Sequence, residues 1–327
     1  MKTVLVTGAS GFVGGHVVAA LARRGIRPRC LVRKTSRLDF IRDWSPEIAW
    51  GDVTDPGSMA AAVAGVDGIV HCAGLTRARS RAEYERVNAD GCRNLYEACL
   101  AQNPAVQRIV HLGSLAAWGP STAERPVQEG QAQQPVSDYG HSKLAGQRLA
   151  EAYRDRLPIV ILAPPAVYGP LDRDFLHYLA WVQRGFALMI GREERWLSLI
   201  YAPDLADAVL ACLEHPRAAG RTYLVEDGRP RTWRDVAGAM GRALHRTPKV
   251  VCLPPVGARA LCTVLGMLAR CTGKPALFNR DKLNEMLQPA WTCAGAGIRA
   301  ELGFVPRFAL EQGLEETCRW YREHRWL

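Results

Sequence analysis

Tyr139 and Lys143 stand four residues apart in Ser137-Asp-Tyr-Gly-His-Ser-Lys143, where Ser137 or Asp138 is positioned to cap the start of a helix. That spacing puts both side chains on one helical face. An ammonium about 4 Å from a phenol is worth on the order of 4 kcal/mol at an effective dielectric near 20, enough to draw a tyrosine pKa of about 10 down by a few units. The pair therefore suits proton transfer, with the phenol as acid or base. The plainer alternative is a solvated helix face over a packed aromatic stem. Lysine usage weighs against it: the chain has only Lys2, Lys34, Lys143, Lys249, Lys274 and Lys282, so a surface cation is expected to be arginine. A compact ammonium also reaches ribose hydroxyls where a guanidinium fork does not fit in the same way. Ser114 ends the apolar run Arg108-Ile-Val-His-Leu-Gly-Ser114, where its hydroxyl can hold a carbonyl oxygen for Tyr139.

These residues need a scaffold that brings strand ends together. Strand-like runs at 3–7, 28–32, 48–50, 68–73, 108–114 and 158–164 alternate with helix-like segments near 13–24, 57–64, 83–102 and 139–155. Such alternation predicts a doubly wound parallel α/β sheet of Rossmann type, with ligands at the carboxyl ends of its strands. The continuous apolar runs Ile69-Val-His-Cys-Ala73 and Ile159-Val-Ile-Leu-Ala163 fit central strands covered on both faces. The first strand runs into Gly8-Ala-Ser10-Gly11-Phe12-Val13-Gly14, the glycine turn and helix start that receive the pyrophosphate of a nicotinamide dinucleotide. The alternation breaks near Pro165, which predicts a dinucleotide-binding domain over 1–165. A smaller, mainly helical substrate region over 166–327 is expected to return some segments to the sheet.

Composition narrows the class. With 327 residues, 48% apolar and 23% charged, the chain is an ordinary globular one. A strand beginning two residues after Met1 leaves no room for a signal peptide, so the expected compartment is cytoplasmic. Ten cysteines occur singly, without CxxC or metal-ligand spacing, which reads as reduced thiols and no metal. The net charge of +10 favours phosphate-bearing ligands or an acidic surface. Nucleic acid is not implied, because no recognition motif accompanies the charge. The segment 256–269 is apolar but short and carries Arg259, so it falls short of a membrane span. It is read as a buried or cleft-lining helix, with contact to a membrane surface or a lipid substrate as the alternative.

VTGASGFVGG at 6–15, GDVTDP at 51–56, HCAG at 71–74, VNADG at 87–91, GSLAAWGP at 113–120, YGHSK at 139–143, PPAVYGP at 164–170 and LGFVPRFALEQGL near the C-terminus together resemble the extended short-chain dehydrogenase/reductase family over essentially the whole chain. The resemblance implies that Ser114, Tyr139 and Lys143 form the catalytic triad and that Gly8, Gly11 and Gly14 form the phosphate turn. It also implies that Asp52 and Val53 flank adenine, and that Cys72, Ala73, Gly74, Pro164, Ala166 and Val167 line the ribose and nicotinamide. Asn88 matches an asparagine that supports a proton-relay water in related enzymes; a structural role bridging backbone at a helix bend is the equal alternative. His71 and His111 fall in core strands and His141 in a variable position, so none is assigned chemistry. The family often dimerises through two long helices, which makes a homodimer an expectation here.

Selectivity rests on departures from the family pattern. The second strand ends in Arg33-Lys34, with Arg37 beyond and no acid before Asp39, which places cations where a 2′-phosphate would sit and favours NADP over NAD. Leu115-Ala116 replaces the Asp-Glu pair of 4,6-dehydratases. Ala166 stands where many sugar-nucleotide epimerases carry asparagine. Leu197 replaces their diphosphate arginine seven residues before Asp204, with Arg195 the nearest substitute. Together with Trp181, Phe186, Leu188 and Met189, these changes resemble the 3β-hydroxysteroid dehydrogenase and dihydroflavonol reductase branch. The expected activity is an NADP-preferring interconversion of a secondary alcohol and a ketone on a small, fairly apolar substrate. A nucleotide-sugar epimerase is the alternative, and a non-catalytic dinucleotide-bound sensor or assembly subunit comes third.

Overall fold

The computed structural model describes residues 1–272 and 278–327, the side chains of 266–272 excepted. In chain order the first half comprises β1 (Thr3–Thr7), α1 (Phe12–Arg23), β2 (Arg27–Val32), β3 (Glu47–Trp50), α2 (Pro56–Val63), β4 (Gly68–His71), α3 (Arg81–Glu85), α4 (Gly91–Gln102), β5 (Arg108–Leu112), α5 (Asp138–Ala152) and β6 (Ile159–Ala163). The second half holds β7 (Ala166–Tyr168), α6 (Arg173–Gln183), β8 (Phe186–Ile190), β9 (Trp196–Leu197), β10 (Leu199–Tyr201), α7 (Ala202–Glu214), β11 (Thr222–Leu224), β12 (Arg231–Thr232) and α8 (Trp233–Leu244). It continues with β13 (Lys249–Leu253), α9 (Pro255–Thr272), α10 (Arg280–Met286), β14 (Ala290–Trp291), α11 (Ala296–Leu302) and α12 (Leu310–Glu323).

The main sheet has seven strands in the order β11-β6-β5-β4-β1-β2-β3, and every neighbouring pair is parallel. This is a Rossmann sheet in which β11 supplies the seventh strand from the second half of the chain. Strand periodicity divides the core between the two faces. Val4, Val6, Val70, Val110 and Val160 join Val17, Leu21 and Val209 of α1 and α7 on one side. Leu5, Ile69, Ile109 and Ile159 join Met59, Leu95 and Ala150 of α2, α4 and α5 on the other. A third core unites α6, α8 and α12 around Phe175, Leu179, Met240 and Leu314.

Two elements differ from the sequence expectation. The expected helix over 83–102 is helical throughout, starting at Arg81, but widens to a π-helical turn at Arg86–Asp90, from which the buried Asn88 projects inward. The mainly helical tail contains β13, whose Lys249-Val-Val-Cys-Leu253 pairs in parallel with β8. Its β-branched residues satisfy a sheet edge that is supplied some sixty residues earlier, a pairing local periodicity does not encode. Among the described residues, no helix is long and apolar enough to cross a membrane.

Candidate active site

One cavity of about 1300 Å³ runs along the carboxyl ends of the strands, from the glycine turn to α6, α9 and α10. At its inner end Gly8 adopts φ +68°, and a Cβ there would fall 2.8 Å from the Ala73 nitrogen. A Cβ on Gly14 would lie 2.1 Å from the Gly8 carbonyl oxygen. Both positions therefore require glycine for the close passage of β1, β4 and α1. Gly11 starts α1 with no side-chain cap and no acid in the first turn. The first amides of α1 thus lack both a side-chain acceptor and a competing charge, which is the donor set that fits a pyrophosphate. Gly8, Ser10, Gly11, Phe12, Val13 and Gly14 all line the cavity here.

Farther along, Asp52, Val53, Cys72, Ala73, Gly74, Pro164, Ala166 and Val167 line the same channel. Asp52 Oδ1 accepts from the Thr54 amide and hydroxyl at 2.9 Å each, which fixes the turn after β3. At the end of β2, Arg33, Ser36 and Arg37 face the cavity, whereas Lys34 is exposed outside its lining. Arg33 and Lys34 both lie beyond the last residue of β2, and the turn that begins at Lys34 carries its side chain away from the channel lining. Of the three expected cations, Arg33 and Arg37 line the cavity and Lys34 does not; the Arg37 guanidinium is bridged to Asp39 at 2.8 Å on the surface.

Tyr139, Lys143 and Ser114 meet at the middle of the channel. Ser137 caps α5 by accepting the Gly140 amide at 2.9 Å. The Asp281 carboxylate accepts the Asp138 and Tyr139 amides at 2.6 and 3.3 Å. Ser114 is held by the turn after β5, where Leu115 N–H donates to the Pro164 carbonyl at 2.8 Å and Ser114 Oγ accepts from Ala116 N–H at 3.2 Å. Burial pushes the Tyr139 phenol above its ordinary pKa, opposed by its hydrogen bond with Ser114. The phenol is thus protonated at neutral pH.

This reverses the sequence expectation of a depressed tyrosine pKa tuned by Lys143. Lys143 Nζ instead donates to the Leu112 carbonyl at 2.7 Å, and burial holds the ammonium below its ordinary pKa. The lysine that acts on the Tyr139 pKa is Lys282 of α10, at the outer wall of the cavity, whose lowering effect is more than countered by the raising effect of Glu285 beside it. Its ammonium pairs with Glu285 at 3.0 Å, and Glu285 accepts the Ser137 hydroxyl at 2.7 Å. Burial disfavours the Lys282 charge, but Glu285 more than offsets it and the pKa lies above the ordinary lysine value. Sequence reasoning missed Lys282, Asp281 and Glu285. The available signal was compositional: Lys282 is another of the rare lysines in an arginine-rich chain.

Asn88 does not line the cavity. Its Oδ1 accepts from Leu75 N–H at 2.7 Å, and its Nδ2 donates to the Leu75 carbonyl and Ser142 Oγ at 3.0 and 2.8 Å. Both Nδ2 hydrogens and one lone pair of Oδ1 are used in joining the loop after β4 to α5. Of its two expected roles, these partners describe the structural one. His71 and His111 are buried and their pKa values lowered, chiefly by burial, His71 to about 3. Both are neutral parts of the core. Arg195 lines the cavity, but its guanidinium serves the chain itself, donating to the Ile190 carbonyl and pairing with Glu193 at 3.2 Å. The outer cavity wall sets Phe175, Tyr178, Trp181, Leu188, Met189 and Trp233 beside the charged Asp281, Lys282 and Glu285 of α10. Phe186 lies outside that lining, 44% exposed.

A model of the NAD dependent epimerase/dehydratase family matches residues 4–225, and the chain belongs to that family. It is an NAD(P)-dependent enzyme of the extended short-chain dehydrogenase/reductase type. The ceramide reductase of Caulobacter vibrioides is 32% identical over 326 residues, spanning 99% of this chain and 96% of the relative. The 2-alkyl-3-oxoalkanoate reductase of Stenotrophomonas maltophilia is 28% identical over 337 residues, spanning 95% and 97%. The UDP-glucose 4-epimerase of Thermotoga maritima, solved with UDP-glucose, is alike in fold, with a TM-score of 0.81 at 19% identity over 99% of this chain and all of its own.

Proposed function

We propose that the protein is an NADP-preferring ketone reductase acting on a substrate with long apolar chains. The observation that carries this reading is the Tyr139 hydroxyl, hydrogen-bonded to Ser114, inside a channel whose outer part includes the aromatic and aliphatic side chains of Phe175, Tyr178, Trp181, Leu188, Met189 and Trp233. When bound, the nicotinamide dinucleotide supplies the hydride. The amides of α1 and the glycine turn would hold its pyrophosphate, Arg33 and Arg37 would hold the 2′-phosphate, and Lys143, whose ammonium lies near Gly74, would hold the ribose. Ser114 donates a hydrogen bond to the substrate carbonyl oxygen and orients it toward Tyr139. Tyr139 then delivers its proton to that oxygen, and the Ser114 hydrogen bond, with a smaller contribution from the Lys282 ammonium, stabilises the phenolate that remains against the opposing Glu285 charge. Asn88, Asp281 and Glu285 act at one remove by fixing the helix that carries the phenol. The named relatives support the substrate class, since a ceramide and a 2-alkyl-3-oxoalkanoate both bear chains suited to the apolar wall.

The test is a substrate panel of long-chain 3-oxo esters and amides set beside UDP-sugars, with cofactor and product both measured. Alcohol formed in step with NADPH consumed supports the reductase. Sugar interconversion without net cofactor consumption would replace it with an epimerase, and cofactor binding without turnover on any substrate would indicate a sensor.

A further inference from the structure

The mouth of the cavity opens through an apolar face that nothing among the described residues covers. In the β8–β13 ribbon, Phe186 is level with Lys249 and Leu188 with Val251, so one side of the ribbon presents these residues together. Helix α9 packs Ala258 and Cys262 inward against Ile190 and Leu283, leaving Val256, Leu261 and Val264 outside at 75%, 43% and 53% exposure. Trp181, Leu188 and Leu261 are exposed and also line the cavity, which places the apolar face at its entrance. Exposed apolar surface of this extent normally marks an interaction site.

Charge identifies the partner. Residues 245–280 contain Arg246, Lys249, Arg259, Arg270, Lys274 and Arg280 and no aspartate or glutamate, so they carry +6 of the chain's net +10. Arg184, Lys249 and Arg259 are exposed around the apolar face, and none has an ion-pair partner among the described residues. Apolar residues ringed by unpaired cations match an anionic lipid surface, where side chains enter the interface and cations meet phosphates.

We propose that this face, formed by the β8–β13 ribbon and α9, seats on an anionic phospholipid bilayer and that the cavity takes its apolar ketone directly from the membrane. The second clause rests on the reductase reading; the docking does not. A substrate chain leaving the bilayer would pass Leu261, Trp181 and Leu188 toward Tyr139 without crossing water.

Co-flotation with vesicles of phosphatidylglycerol and phosphatidylcholine in equal parts, against phosphatidylcholine alone, tests this without substrate or cofactor. Binding about tenfold stronger to the anionic vesicles and weakened by salt is the expected result. The double substitution Val256→Glu with Val264→Glu, and separately Phe186→Asp with Val251→Asp, should each lower that binding about tenfold or more. Unchanged NADPH affinity and circular dichroism would show that the variants are folded. Absence of vesicle binding, or equal binding by wild type and both folded variants, overturns the proposal. A dimer that these substitutions dissociate, together with no vesicle binding, also overturns it and assigns the face to a second copy of the chain. Vesicle binding with no turnover of any ketone would instead reject the reductase reading and leave the docking standing.

Discussion

The Asp281 carboxylate accepts the backbone N–H of Tyr139 at 3.3 Å as well as that of Asp138 at 2.6 Å, so a residue of the last third of the chain caps the helix that carries the phenol. Removing it leaves two amides without their charged acceptor and frees the first turn of α5. Asp281→Ala should cost about 1–2 kcal/mol of stability and lower kcat more than it changes NADPH affinity. Thermal unfolding and steady-state kinetics on the same preparation measure both. Unchanged kcat would show that the cap does not position Tyr139.

The two lysines near the phenol should separate experimentally. Lys282→Met removes the cation that lowers the Tyr139 pKa, so the alkaline rise of alcohol oxidation should move to higher pH, and Lys282→Arg should restore it in part. Lys143→Met should act mainly on cofactor affinity, because its ammonium lies beside Gly74 and the Leu112 carbonyl. Rate profiles from neutral to alkaline pH, alongside fluorescence titration of NADPH, distinguish these effects. The reverse pattern would return the tuning role to Lys143.

Arg33→Ala with Arg37→Ala should weaken NADPH binding by about 1.5–3 kcal/mol for each charge-assisted hydrogen bond to the 2′-phosphate that disappears, and leave NADH binding nearly unchanged. Lys34→Ala, outside the cavity lining, should do little to either. Equal weakening for both cofactors would refute a 2′-phosphate site at the end of β2.

Asp172 gives the fold a pH dependence. Burial raises its pKa to about 7, while its carboxylate caps α6 by accepting Asp174 N–H at 2.8 Å. An unfolded aspartate releases its proton near pH 4, so the native state binds the extra proton between about 4 and 7. Stability is therefore full below the unfolded pKa and falls as pH rises through that window, by up to about 4 kcal/mol. Asp172→Asn keeps the cap and removes the titration. Its melting temperature should match that of the wild type near pH 4 and exceed it near pH 8. Parallel pH curves for the two proteins would count against the buried acid.

The first half of the chain is legible because its signals are local. Val4 and Val6 alternate with Leu5 across the sheet, Gly8 and Gly14 mark a turn that admits no Cβ, and Ser137 precedes the helix it caps. The outer half of the site is built by distant segments meeting, which periodicity does not carry. Glu285 reaches Ser137, Asp281 reaches Tyr139, and β13 pairs with β8. Tyr139 illustrates the limit: its spacing from Lys143 is plain in the sequence, but the direction of its pKa depends on how deeply the assembled walls bury it.

The most direct test of the proton-donor assignment is NADPH consumption by wild type and Tyr139→Phe with a long-chain 3-oxo ester, the alcohol product being quantified in the same reaction. One alcohol per NADPH in the wild type, and a rate lower by about 100-fold or more in Tyr139→Phe with NADPH affinity unchanged, are the expected results. Comparable rates for the two proteins would contradict the account, because the proton would then reach the carbonyl oxygen from somewhere other than Tyr139.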